Sequence, residues 1–234
     1  MVVQAASSSA GRSGSPHSRR VVQLGFGESV SHMVGHIATH SGAEAFAPDY
    51  RLAPEHPFPA ALEDVRASYF GLLELGCRKI AVNLALALLI SLKTTHSSNQ
   101  EPPVAGVALS PVTDLSLSGT SWTTRAAADP YFTHSQAAEL VRSYLNGADP
   151  SHPSASPLHA DLAGLPPIRV HVGDDEVLLD DSVRFVDRAL AAGVDAQLDV
   201  WEGMAHGFPG SVGLLNASTQ ALQQIGSFLS ERFA

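Results

Sequence analysis

Two loops of the chain hold side chains able to pass a proton between them. The first, Gly173-Asp174-Asp175-Glu176-Val177-Leu178-Leu179-Asp180-Asp181, is crowded with carboxylates, and the second, Glu202-Gly203-Met204-Ala205-His206-Gly207-Phe208, carries one imidazole. A carboxylate that accepts a hydrogen bond from one ring nitrogen selects the tautomer whose other nitrogen is free to take a proton. It also stabilises the imidazolium that results. The acids of the first loop, Asp175 and Glu176 among them, and His206 are therefore candidates for an orienting acid and a base. Ser29, in Gly27-Glu28-Ser29-Val30-Ser31, carries a hydroxyl of the kind such a base activates, and it precedes the acid and the histidine in chain order. Plainer structural roles compete with these: Asp180 and Asp181 above all suit the positive end of a helix beginning near Leu179, and His206 suits a surface loop.

Each chemical loop leaves the end of a β-prone run, residues 168–172 for the acids and 197–201 for the histidine, with a helix over 179–192 between them. Consecutive strands of this kind are usually neighbours, and open α/β sheets bind ligands at the carboxyl ends of their strands. The two loops are thus expected side by side, within reach of an acid-to-imidazole hydrogen bond. Further strands are expected at 21–24, 43–47, 79–82 and 104–110, and helices at 31–40, 60–75, 83–93, 134–145 and 216–233. In the 60–75 segment Ala61, Leu62, Val65, Tyr69, Leu72 and Leu73 recur on one side, whereas 83–93 is apolar all round and must be buried. Alternation of strands and helices predicts a mostly parallel sheet with helices on both faces. Residues 115–165 hold no β-rich run and one helical piece, which reads as an excursion packed beside the site edge.

The stretch Phe46-Ala47-Pro48-Asp49-Tyr50-Arg51-Leu52-Ala53-Pro54-Glu55-His56-Pro57-Phe58-Pro59-Ala60-Ala61-Leu62-Glu63-Asp64 resembles a signature of the hormone-sensitive-lipase-like branch of the α/β-hydrolase fold, a family of carboxylesterases and lactone hydrolases. Gly203-Met204-Ala205-His206-Gly207-Phe208 resembles the catalytic-histidine segment of that family, which implies His206 as the base. In the family the acid stands two residues before a leucine that is itself two before an aspartate. Leu178 and Asp180 supply that frame and imply Glu176, with Asp175 as the alternative. Leu109-Ser110-Pro111-Val112-Thr113-Asp114-Leu115 and Ala128-Asp129-Pro130-Tyr131-Phe132-Thr133 look most like the monoterpene ε-lactone hydrolase subgroup. The resemblance implies an apolar acyl or lactone pocket, for which Trp122, Tyr131, Phe132, Trp201 and Phe208 are candidates.

Two segments of the family pattern are missing. Relatives place a G-D-S-A-G-G elbow between the strand matching 79–82 and the helix that follows; here Val82 runs directly into Asn83-Leu84-Ala85-Leu86-Ala87-Leu88-Leu89, and no G-x-S-x-G occurs anywhere. The H-G-G-G oxyanion loop is reduced to a remnant holding Gly25 and Gly27, which places Ser29 in the oxyanion segment and makes it a weak nucleophile candidate. Strand-to-helix turning at the seam is expected at Asn83, with the strand surviving and the helix starting at or just after it. The resemblance covers about 21–234, an α/β-hydrolase domain whose N-terminal strands and cap are truncated. Residues 1–20, rich in Ser and Arg and lacking acids, are expected to be a disordered leader.

Composition narrows the partners. Fourteen Lys and Arg against 23 Asp and Glu, net −9, leave no basic footprint for nucleic acid or an anionic membrane. The longest apolar run, 80–90, is too short to span a bilayer. A single cysteine, Cys77, and no Cys/His spacing of the metal type predict a cofactor-free, metal-free cytoplasmic protein. Two functions remain: an ester or lactone hydrolase impaired by the loss of its serine, or a non-catalytic remnant that binds small apolar esters or lactones or pairs with a homologous chain, with oligomers open to either.

Overall fold

The computed structural model describes residues 2–4, 21–23, 28–83, 86–95 and 102–234. Its strands are Val2–Gln4 (β1), Val21–Gln23 (β2), Glu44–Ala47 (β3), Lys79–Asn83 (β4), Ala105–Leu109 (β5), Ile168–Gly173 (β6) and Ala196–Trp201 (β7). The helices are Glu28–Ser41 (α1), Ala60–Glu74 (α2), Leu86–Thr95 (α3), Ser121–Thr124 (α4), His134–Leu145 (α5), Leu179–Ala191 (α6) and Asn216–Phe233 (α7). The strands form one sheet in the order β2-β3-β1-β4-β5-β6-β7. All neighbouring pairs are parallel except those of β1, which runs antiparallel to both β3 and β4.

The sheet is mostly parallel and doubly covered because its strands are apolar on both sides. In β4, Ile80 and Val82 point into the layer made by Tyr69 and Leu72 of α2, the apolar α3, and Phe185, Val186 and Ala189 of α6. Ala81 between them points the other way, joining Met33 and Ile37 of α1 and Leu222, Ile225 and Leu229 of α7. Burying each such Leu, Ile or Phe contributes about 1.5–3 kcal/mol, which explains why α3 is held within the fold despite having no polar face. After β3, Arg51 clamps the start of α2: its backbone N–H and its guanidinium all donate to the Asp64 carboxylate at 2.9–3.1 Å. Phe58 then carries the signature stretch to the excursion, donating its N–H to the Tyr144 carbonyl at 2.7 Å and packing on the Tyr144 ring.

Two expectations are corrected. Val2–Gln4 is a strand and not part of a disordered leader: its sequence repeats that of Val21–Gln23, and lying between β3 and β4 it covers two edges that would otherwise stand unpaired. Residues 5–20 lie outside the described residues. At the seam β4 survives, as expected, and runs through Asn83, paired in register with Val107; residues 84 and 85 lie outside the described residues, and α3 is described from Leu86. The excursion at 115–165 carries three short helical pieces, α4, α5 and the 3₁₀ turn Pro157–His159, where one was expected.

Candidate active site

The parallel pairing of β6 with β7 sets Gly173 opposite Trp201, so the acid and histidine loops leave the sheet side by side. They are then laced together. Asp174 N–H donates to the Trp201 carbonyl at 3.1 Å, Asp175 N–H to the Met204 carbonyl at 3.2 Å, and Gly203 N–H to the Asp174 carboxylate at 2.7 Å. The approach is so close that a Cβ on Gly173 would lie 1.9 Å from the Met204 carbonyl oxygen, a position only a hydrogen atom fits. Immediately after the histidine, Gly207 takes φ 77°, the left-handed turn that brings the chain back to the sheet.

Within this frame His206 Nδ1–H donates to Glu176 Oε2 at 3.1 Å. Glu176 is fully buried, and its second oxygen accepts from Ser110 Oγ at 2.7 Å and from Gly173 N–H at 2.6 Å. Three donors compensate the carboxylate for the water it has lost. A carboxylate on Nδ1 leaves the lone pair on Nε2, so His206 is held as a proton acceptor with its outer nitrogen free. Of the two acids in question, Glu176 meets the ring; Asp175 enters the site through its backbone N–H. Asp180 and Asp181 do more than face a helix end. Asp180 accepts from Thr120 Oγ1 and Ser121 N–H and so fastens the excursion to α6, while Asp181 Oδ2 accepts from Thr113 N–H at 2.7 Å and Asp114 N–H at 3.0 Å and so fastens the segment that leads into it. Burial pushes the Asp181 carboxyl up to about 6. Burial acts in the same sense on Asp114, but hydrogen bonds from Ser116 and Ser118 outweigh it and hold that carboxyl well below the usual carboxylate range.

Beside His206 opens a cavity of about 300 Å³ walled by Leu117, Trp122, Phe132, Val141 and Leu178. Apart from His206 and Tyr144, its lining carries no side-chain polar group but the indole nitrogen of Trp122, which is apolar surface suited to an alkyl chain or ring. Trp122 and Phe132 thus line the cavity as expected. The other three aromatics do not: Tyr131 is 63% exposed, Trp201 stacks on His171 at 6.0 Å, and Phe208 is core. Phe132 also sets its ring edge-on to that of His206, with centroids 5.0 Å apart.

Gly25 and Gly27 lie outside the described residues, and Ser29 is the second residue of α1. Among the residues whose side chains are described, of which Ser29 is not one, no serine hydroxyl is hydrogen-bonded to His206. Ser110 escaped the reading of the sequence as a site residue. Its backbone takes φ 43°, rare for serine, and that turn aims Oγ at Glu176. The only local signal was a serine before proline at a strand end. No group of three or more His, Cys, Asp or Glu poised for a metal occurs among the described residues, and none of their helices is long and apolar enough to cross a membrane.

Residues 24–210 match the family described as alpha/beta hydrolase fold. An acetyl-hydrolase of Streptomyces hygroscopicus is 38% identical over 213 residues, which are 88% of this chain and 71% of that protein. An esterase of Acinetobacter venetianus is 33% identical over 205 residues, 82% of this chain and 66% of that one. Among solved structures, EstE5 superposes with a TM-score of 0.82 at 40% identity, covering 86% of this chain and 70% of its own. An esterase from the bacterial hormone-sensitive lipase family superposes with a TM-score of 0.83 at 40% identity, over 89% and 73% of the two chains.

Proposed function

Because the chain belongs to the hormone-sensitive-lipase-like branch of the α/β-hydrolase fold family, whose similar members are esterases and acetyl-hydrolases, we propose that its site handles small apolar carboxylic esters or lactones, with Glu176 as the orienting acid and His206 as the base. The observation that carries this reading is the 3.1 Å bond between the buried Glu176 and a half-exposed His206 at the wall of an apolar cavity. In hydrolysis His206 Nε2 takes the proton of the attacking oxygen as that oxygen bonds to the ester carbonyl carbon. The imidazolium, stabilised by Glu176, then returns the proton to the departing alkoxide; water is consumed and acid and alcohol are released.

We further propose that this chain is an impaired hydrolase. Strand β4 passes into Asn83 without a G-x-S-x-G elbow, so the attacking oxygen is water in place of an activated serine. Loss of a triad nucleophile costs about 10⁶ in turnover and loss of each oxyanion donor about 10²–10³. The retained cavity supports a second reading, binding without turnover. One experiment separates the two from an intact enzyme: labelling with a fluorophosphonate alongside hydrolysis of 4-nitrophenyl butyrate. No label and a rate at background are expected. Strong labelling abolished by Ser29→Ala, with turnover lost in parallel, overturns the impairment and makes Ser29 the nucleophile.

A further inference from the structure

Asp129 lies in neither chemical loop, yet it is only 9% exposed and its carboxylate reaches both the turn that carries Phe132 and the loop that carries Glu176. Oδ1 accepts the N–H groups of Tyr131 at 2.8 Å and Phe132 at 3.0 Å, closing a tight turn. Oδ2 accepts the N–H of Val177 at 2.9 Å, the residue that follows Glu176. Phe132 is the ring that stands edge-on to His206 and walls the cavity. One carboxylate therefore fixes both groups that constrain the imidazole: the aromatic wall beside it and the loop that carries its acid.

A serine or asparagine would suffice if the turn were all that mattered. Burying an ionised carboxylate is costly unless its oxygens are used, and here three backbone N–H groups need two separate acceptor atoms on opposite sides of one group. An amide of the same shape has a single acceptor oxygen. Keeping the turn, it would present its NH₂ to the Val177 N–H, donor against donor.

We propose that Asp129 is a positioning residue, joining the cavity wall to the acid–histidine pair so that His206 is held in one tautomer and one orientation. This rests on the reading of Glu176 and His206 as the acid and base of the site. Asp129→Asn is the discriminating change, since it leaves the turn intact and breaks the link.

The measurement is the ¹⁵N and ¹H resonances of the His206 ring in the full chain, with ring-proton exchange against solvent. In the unmodified protein a single Nδ1–H tautomer is expected, with its proton protected. In Asp129→Asn, with amide resonances of β4–β7 unchanged, tautomer selection is lost and that proton exchanges about tenfold faster, as expected for a hydrogen bond weakened by about 1.4 kcal/mol. If Asp129→Asn keeps the tautomer and the protection, Asp129 is a structural clip and the proposal falls while the acid–base reading stands. If the unmodified protein itself shows no Nδ1–H bond, the acid–base reading falls with it. Should Asp129→Asn fail to fold, Phe132→Leu carries the test. It keeps all three Asp129 bonds and the apolar wall but removes the ring; faster exchange at His206 supports the proposal, and unchanged exchange overturns it.

Discussion

His171 is fully buried on β6, where Trp201 Nε1–H donates to its Nδ1 at 3.1 Å and the two rings stack. Its Nε2 stands 3.7 Å from Asp199, whose carboxylate is already engaged by Arg169 at 2.7 Å. Burial lowers the imidazole from 6.5 to about 4, partly opposed by Asp199 and reinforced by Arg169. At about 1.4 kcal/mol per tenfold change in proton affinity, the shift is worth about 3 kcal/mol. The folded chain keeps this histidine neutral while the unfolded chain protonates it near 6.5. The contribution is therefore whole above pH 6.5 and is lost as pH falls toward 4. Asp181 works in the opposite sense: its carboxyl, raised to about 6, binds a proton more readily in the fold and so adds stability as pH falls from 6 toward 3.8. A pH profile of the unmodified protein mixes the two, and the test is its difference from His171→Gln, which keeps an acceptor for Trp201 and leaves Asp181 in place. Urea unfolding followed by circular dichroism at pH 7 and pH 5 should show that difference falling by about 2 kcal/mol. A difference constant within about 0.5 kcal/mol would refute the assignment of a buried neutral imidazole. The consequence reaches the site, because the His171 carbonyl accepts the N–H of Ser110 and Trp201 leads into the His206 loop.

Gly173→Ala should displace the Met204 carbonyl, destabilise the fold by about 1–3 kcal/mol in urea titration and remove the protected His206 ring proton; an alanine variant that keeps that proton would show the two loops to be less tightly joined than their spacing implies. Thr133 caps α5 through a reciprocal box with Gln136, so Thr133→Ala should cost about 1 kcal/mol, read as a lower Tm, and loosen the helix that walls the cavity.

Local patterning was enough to read most of the sheet. The six β-prone runs beginning near residues 21, 43, 79, 104, 168 and 197 all form strands, because buried parallel strands and amphipathic helices leave periodic traces a few residues long. Two loops at neighbouring strand ends, with an acid in one and a histidine in the other, likewise marked the polar centre of the site. Within the acid loop, however, residue types alone left several carboxylates open, and the family frame implied Glu176 with Asp175 as the alternative. It took the three donors converging on Glu176, from Ser110, Gly173 and His206, to show which one meets the ring. Ser110 reaches across 66 positions and Asp129 across 48, through a left-handed turn in one case and a two-sided carboxylate in the other. The insertion of β1 between β3 and β4, and the inclusion of Asn83 in β4, were decided by pairing with distant strands. Chain periodicity records which face a residue buries; which atoms meet there depends on contacts between segments far apart in sequence, and only the folded chain brings them together.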